Sequence, residues 1–415
     1  MLPATRSCLT RLNSPASTLM RLRIHEGLRP NLGRAMFSSF SQPRQQQKPV
    51  QASLIEKTLT KNPKPLVADK DLIFGHTFTD HMLTVPWTKS DGWGKPQIKP
   101  YGPLSLDPSC SVFHYAFECF EGLKAYKDAN GKIRLFRPNM NMARMNASTQ
   151  SLNLPQFNGD EMLKCIEELI KTDKRWIPSK PGYSLYIRPA VIATEPTLGV
   201  HESRSALFFC ICSPCGPYFP TGFTAVKLFA NTERVRAWKG GMGNRKVGGN
   251  YAPSVLPQVE AAAKGYQQVL WTIGEDYELM EVGTMNLFVY WTNEKGEKEL
   301  ITPELDGTIL PGVTRDSILK LAKSWGEFKV TEGKINMKQI TKASDENRLH
   351  EVFGAGTACV VTPVKAIHFK GKDYDVPLNP NDPSSETGPL TKRLYDTLSK
   401  IQYGEIPHEW SITVD

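Results

Sequence analysis

The stretch Gly240–Tyr251, GGMGNRKVGGNY, holds five glycines and one lysine and no acidic side chain. A Walker A loop would need glycine before that lysine and a hydroxyl after it, but Arg245 and Val247 stand there. A dinucleotide fingerprint starting at Gly241-Met-Gly243 fails as well, because its third glycine position is Lys246 itself. What remains is a lysine on a backbone able to bend tightly and approach a bulky group, with no adjacent carboxylate to lock it as an ammonium ion. A lysine that is kept dry can serve as a nucleophile toward a carbonyl.

Three further segments offer groups that a covalently held, phosphorylated cofactor requires. MEVGTMNLF carries Glu281 at the entry to an apolar strand, where a carboxylate is costly unless paired, and a protonated pyridine nitrogen is such a pair. LPGVTRDSI places Gly312, Val313 and Thr314 at a predicted helix start, where free N–H groups and the helix dipole favour a phosphate. FGAGTACVV adds Gly356, Thr357 and Ala358, a small-residue turn able to donate N–H groups to an anion. Each alone is an ordinary turn or cap. Together with Lys246 they match the needs of pyridoxal 5′-phosphate chemistry.

The elements that must position these groups are legible as alternating β-like runs and helical patterns. Glu161–Trp176 sets Met162, Ile166, Leu169 and Ile170 on one helical face, with Asp160 near its start. YSLYIRPAVIA (Tyr183–Ala193) and SALFFCIC (Ser205–Cys212) read as strands. SPCGPYFPTGF follows, with three prolines and two glycines in eleven residues, and marks a domain junction. The second half reads as a strand at TAVKLFA, a helix at SVLPQVEAAAKG, and strands at YQQVLWTI, MNLFVYWTN and KELITP. A helix over LPGVTRDSILKLAKSW, capped by Thr314, and a closing helix over Leu390–Ile401 complete it. The expected division is 1–50 as a leader and disordered linker, 51–213 as a smaller α/β domain, 214–222 as a connection, and 223–415 as a larger β-rich domain. No internal repeat is evident.

The 415 residues are 40% hydrophobic and 22% charged, the balance of a soluble globular chain, and no apolar run is long enough to span a bilayer. The net charge of +9 is lopsided: residues 1–50 hold eight basic side chains against Glu26 alone and contribute +7, leaving +2 for the rest. That argues against a nucleic-acid surface on the body of the protein. The Arg- and Ser-rich, acid-poor amino terminus without an apolar core reads as a mitochondrial transit peptide cleaved near Phe37–Gln51, with a basic arm for an acidic partner as the alternative. The eight cysteines are too sparse for a disulfide scaffold. Cys210, Cys212 and Cys215 lack the second Cys/His pair that zinc prefers and read as the end of a buried strand, so no metal is expected.

With these segments in place, the chain resembles the branched-chain amino acid aminotransferases, fold type IV pyridoxal phosphate enzymes. The resemblance runs from about Leu72 to Trp410 through FGHTFTDHML, CFEGLKAY, RLFRPNMNMARM, YIRPAVIATEPTLGV, GNRKVGGNY, EVGTMN, LPGVTR, FGAGTA and QYGEIPHEW. It implies a two-domain α/β fold of the α+β type, a homodimer, a mitochondrial matrix location, and transamination between leucine, isoleucine or valine and 2-oxoglutarate to give glutamate. Lys246 would carry the cofactor as a Schiff base and move a proton between substrate Cα and cofactor C4′. Glu281 would pair with the pyridine nitrogen and Tyr251 with the phenolic oxygen. Arg144, Val313, Thr314 and Thr357 would hold the phosphate.

By the same carry-over, Thr284 and the Ala358 amide would receive the substrate carboxylate, with Arg188 orienting that region. Phe74, Phe120, Tyr186 and Tyr251 would wall the side-chain pocket, and Tyr115, Leu198 and Val200 would come from the partner subunit. Tyr115, Tyr186 and Arg188 would supply donors for the distal carboxylate of glutamate. The chain departs from mammalian members at their redox-sensitive C-x-x-C, where it reads Cys359-Val-Val-Thr362, so a dithiol switch is not available there. Other fold type IV activities, a D-amino acid aminotransferase or an aminodeoxychorismate lyase, share the lysine, the glutamate and the phosphate cup. The segments CFEGLKAY and YIRPAVIATEPTLGV argue against both.

Overall fold

Ser184–Ala193 is buried at all but one of its positions, because a strand covered on both faces has no solvent side to make polar. It lies in the middle of a ten-stranded sheet, and the computed structural model describes this and the rest of residues 47–218 and 223–414. The order is Glu56–Lys57, Gln97–Pro100, His81–Thr88, Ser205–Cys215, Ser184–Ala193, Leu123–Lys127, Ile133–Phe136, Ser411–Thr413. Ser184–Ala193 pairs antiparallel with Ser205–Cys215 along one edge. Two short strands share the other edge: Leu123–Lys127 from Ile187 back, and Glu118–Phe120 from Ala190 on. Pro189, which has no N–H to donate, falls in the gap between them, and there Glu121 and Gly122 interrupt the pairing.

Two helices cover this sheet. Gly159–Thr172 buries Met162, Cys165, Ile166, Leu169 and Ile170 in a core that includes Leu83, Val85, Ile187 and Phe208. Each such aliphatic side chain contributes about 1.5–3 kcal/mol by leaving water. The helix begins earlier than its periodicity suggests, because the Asn158 side chain, not Asp160, accepts the N–H groups of Asp160 and Glu161. The second helix, Pro138–Ser151, carries Arg144.

The second sheet has nine strands, and six of them close a ring. Glu278–Val282, Gln268–Ile273, Val226–Asn231, Val360–Phe369, Leu349–Gly356 and Met285–Thr292 pair in sequence, and the last pairs back to the first through Val282↔Met285 and Glu281↔Asn286. Leu228, Leu270, Val282, Leu287, Val352 and Val364, one from each strand, are fully buried in one cluster. Val313–Trp325 and Pro389–Gln402 pack on this sheet in a further core that also takes in Tyr126 and Phe136 from the first sheet.

Four expectations change. The helix at Val313 has Gly312 at its N-cap without any side-chain cap, so Thr314 lies within the first turn and does not cap it. The linker expected to be disordered through residue 50 is packed where it is described: Val50 is buried and the Lys48 carbonyl accepts the Trp93 N–H. The first sheet runs through Pro214 to Cys215, past the expected boundary at 213. Ser411–Thr413, expected with the second domain, pairs with Ile133–Phe136 of the first sheet, and Gln46–Asp415 forms one compact unit. Of the expected leader, 1–50, residues 1–46 lie outside the described residues, as do residues 219–222 of the expected connection. No helix among the described residues is long and apolar enough to cross a membrane.

Candidate active site

Lys246 sits on a strap without long regular structure, held at its backbone by two other elements. The Phe120 N–H donates to the Lys246 carbonyl at 3.0 Å, and the Lys246 N–H donates to Ser148 Oγ on the Pro138–Ser151 helix at 3.0 Å. Cys119 bridges to Val247 beside them. Asn250 closes the strap by donating to the carbonyls of Met242 and Arg245. A Cβ on Gly248 would stand 1.6 Å from Glu118 Oε1, so a larger residue there would have to displace the Glu118 carboxylate. The lysine is thus fixed by the Glu118–Phe120 strand that the Pro189 gap leaves in place.

The Lys246 side chain is half-buried in a cleft. Its Nζ lies 2.9 Å from the Tyr251 hydroxyl and 4.7 Å from the centre of the Phe120 ring, which itself packs against Tyr251. Burial, then the nearby Arg144 guanidinium, draws its pKa down to about 7, against an opposing pull from Glu121. Burial holds the Tyr251 phenol well above its ordinary range. An amine that is substantially neutral near physiological pH is what a lysine nucleophile requires.

Glu281 is 2% exposed. One oxygen accepts the Leu310 N–H at 2.9 Å, and Asn286 Nδ2 lies 3.3 Å from it. The other accepts from Arg236 Nε at 2.8 Å. Burial raises its pKa and Arg236 opposes that rise. Asn286 also donates to the Leu310 carbonyl at 2.8 Å, and a Cβ on Gly312 would stand 2.0 Å from Asn286 Oδ1. The glycine therefore sets how closely the start of the Val313 helix approaches Glu281.

Arg144 and Glu121 form a buried fork-to-fork pair at 2.6 and 2.8 Å, and Glu121 is wholly buried, with Asn141 Nδ2 on one oxygen at 2.9 Å. The remaining Arg144 terminus, Nη1, reaches the Pro311 carbonyl at 3.1 Å, next to the helix start. Gly122, Asn141, Val313, Thr314 and Thr357 line one small cavity there. The Ala358 carbonyl accepts from buried Lys124 at 2.7 Å, which pins the Gly356–Ala358 turn across to the first sheet.

On the substrate side, Phe74 meets Tyr186 edge-on at 4.8 Å, and Arg188 donates to the Tyr186 hydroxyl at 2.9 Å and lies 4.7 Å over Phe120. A Cβ on Gly122 would stand 2.1 Å from that hydroxyl, so a side chain there would push the Tyr186 ring from its place. Thr284 is exposed at the tip of the hairpin that joins Glu281 to Asn286. Tyr115, Leu198 and Val200 are exposed, as is Phe113, and the Tyr115 hydroxyl accepts the Gly199 N–H at 3.0 Å. Cys359 is buried against Met285 Sδ at 3.3 Å.

Sequence reasoning named Lys246, Tyr251, Glu281 and Arg144 but missed Glu121, Arg236, Asn286, Lys124 and Ser148. Glu121 carried a usable signal, because a carboxylate within the otherwise apolar CFEGLKAY raises the same question as Glu281. Arg236 and Ser148 carried none, since their partners are remote in sequence.

A partly neutral lysine, a buried carboxylate 2% exposed, a guanidinium and an uncapped helix start form a donor set that fits pyridoxal 5′-phosphate: an aldehyde, a basic pyridine nitrogen and a phosphate. The family model described as amino-transferase class IV matches residues 118–367, and pyridoxal 5′-phosphate is the cofactor of that class. The chain is 56% identical over 364 residues to a branched-chain-amino-acid aminotransferase of Dictyostelium discoideum, covering 87% of this chain and 94% of that one. It is 50% identical over 372 residues to the mitochondrial enzyme of that name from Schizosaccharomyces pombe, covering 88% and 86%. It is 52% identical over 361 residues to the cytosolic one from Mus musculus, covering 86% and 92%. Its fold is similar to that of the branched-chain amino acid aminotransferase of Escherichia coli, with a TM-score of 0.65 at 24% identity over 81% of this chain and 99% of that one. The branched-chain amino acid aminotransferase of Thermobaculum terrenum, in its PLP-bound holo form, gives a TM-score of 0.63 at 22% identity over 80% and 98%. The chain belongs to the branched-chain-amino-acid aminotransferases within class IV.

Proposed function

We propose that this chain exchanges the amino group of L-leucine, L-isoleucine or L-valine with 2-oxoglutarate, giving branched-chain 2-oxo acids and L-glutamate. The observation that carries the reaction type is the Lys246 amine held 2.9 Å from the Tyr251 hydroxyl and over the Phe120 ring, and membership of the family carries the substrate class. When bound, pyridoxal 5′-phosphate supplies an electron sink for charge left at the substrate Cα. Lys246 would hold it covalently and then, once displaced, act as the base that moves the Cα proton. Glu281 would face the pyridine nitrogen and Tyr251 the phenolic oxygen. Arg144 Nη1, the amides of Val313 and Thr314, and Thr357 would hold the phosphate.

Thr284 and the Ala358 N–H would receive the substrate carboxylate, beside Arg188. Phe74, Phe120, Tyr186 and Tyr251 would form an apolar wall that separates neighbouring substrates only modestly, since a methylene is worth about 1–3 kcal/mol. Exposed Tyr115, Leu198 and Val200 would be covered by a second copy of the chain in a homodimer and complete the pocket. The functional division is a smaller domain that takes in Val50 and runs through Cys215, and a larger cofactor domain from residue 223 on whose last strand returns to the first sheet. The arginine-rich segment 1–50 supports a location in the mitochondrial matrix.

The test is a visible absorbance titration of the purified holoenzyme. L-Leucine should bleach the band of the lysine-bound cofactor and 2-oxoglutarate should restore it. A band that L-leucine leaves unchanged would defeat the substrate reading. Tyr115→Phe should weaken 2-oxoglutarate more than a branched-chain 2-oxo acid, and equal loss for both would remove Tyr115 from that role.

A further inference from the structure

One guanidinium joins the two sides of the site. Arg236, whose side chain is 5% exposed, donates through Nε to Glu281 Oε2 at 2.8 Å. Its Nη1 reaches the Thr308 carbonyl at 2.9 Å, on the loop leading to Leu310, and the Gly243 carbonyl at 3.2 Å, on the strap leading to Lys246. The segments meet closely: a Cβ on Gly243 would stand 2.5 Å from both Ala237 Cβ and the Thr308 carbonyl oxygen. No ordinary packing need explains an arginine here, because a buried guanidinium is costly unless each partner is well placed.

We propose that Arg236 is a positioning residue: it orients the Glu281 carboxylate as an anion toward the cofactor's pyridine nitrogen and couples that orientation to the Lys246 strap. The proposal rests on the reading of Glu281 as the pyridine partner. Four ionisable groups face Glu281: Arg236 from the loop before the strap, Lys246 and Tyr251 from the strap and its continuation, and Arg315 from the Val313–Trp325 helix; neutral Asn286 faces it from the adjacent strand. Burial pushes the Glu281 carboxyl up, and Arg236 is the largest influence holding it down, ahead of the Leu310 N–H, Lys246 and Arg315. Without Arg236 the carboxylate takes a proton at higher pH. Its hold on a protonated pyridine nitrogen then weakens as pH falls.

The experiment compares wild type, R236Q, R236K, E281Q and the R236Q/E281Q double variant. For each apoenzyme the Kd for pyridoxal 5′-phosphate is read by quenching of tryptophan fluorescence from about pH 6 to about pH 9, beside the kcat–pH profile of the holoenzyme. R236Q should raise Kd roughly tenfold or more, with the loss growing toward low pH, and should move the acid limb of kcat upward. R236K should restore the acid limb while leaving Kd weakened, because it returns the charge without the fork. The double variant should bind no worse than E281Q. Wild-type affinity and an unmoved acid limb in R236Q and R236K would overturn the proposal, as would a full addition of the R236Q loss to that of E281Q. An E281Q enzyme with wild-type affinity and profile would instead remove the Glu281 reading, and the proposal with it.

Discussion

Among single residues, the site is a balance of charges out of water. Lys246 has a folded-state pKa near 7 against about 10.5 in an unfolded chain. Between those values the unfolded state binds more protons, so the apoenzyme gains stability as pH rises from 7 toward 10. Lys246→Met should abolish that gain, which thermal melts of the two apoenzymes across the range will read. Lys246→Ala should lower kcat by on the order of 10³-fold or more, measured in single-turnover exchange with L-leucine. The Glu121–Arg144 pair acts in the opposite sense: burial disfavours both charges, and the partner's charge and hydrogen bonds, with Lys246 and Asn141 adding to them at Glu121 and Tyr251 and Tyr186 at Arg144, keep Glu121 below and Arg144 above its ordinary value. Glu121→Gln leaves a buried guanidinium without its counter-charge, and denaturant unfolding of the apoenzyme should show a loss of about 3–5 kcal/mol.

Among the strands and helices, irregularities place the chemistry. The Pro189 gap between two short partner strands positions Phe120, Glu121 and Gly122 against Tyr186 and Arg188. The uncapped helix start at Gly312 leaves first-turn N–H groups for an anion, and Asn286 sets its approach. Gly312 has an ordinary φ of −70°, so Gly312→Ala would act through space alone, by pushing against Asn286. The expected outcome is a rise of roughly tenfold in the Kd for pyridoxal 5′-phosphate, read by reconstitution of the apoenzyme, with the strands of the ring intact by circular dichroism.

Across the molecule, the two sheets share a core and the carboxy terminus crosses back to the first. The Arg137 N–H donates to the Trp410 carbonyl at 2.8 Å, and the Arg137 guanidinium lies 4.5 Å over the Trp410 ring. The amino-terminal side of the described chain is equally committed, with Val50 buried and Glu56–Lys57 paired to Gln97–Pro100. A chain beginning at residue 47 should keep the melting temperature and exchange activity of the longer one and show no salt-dependent retention on DNA. A chain beginning at residue 58 should melt lower. Differential scanning calorimetry and a DNA column distinguish these outcomes.

Local chemistry is legible in the order of residues alone: a lysine among glycines, Glu281 in an apolar strand, Val313 and Thr314 at a helix start, and the uneven charge of residues 1–50. Burial cost, backbone freedom and helix-end polarity all act within a few residues of chain, which is why these features can be read without a fold. Folding in three dimensions was needed to bring Arg236 to Glu281 and Glu121 to Arg144, to set Ser148 on the Lys246 backbone, and to close six strands into a ring. Those partners are separated by tens of residues, so no periodicity marks them. Each pair is selected by which charges and donors the folded core leaves without water.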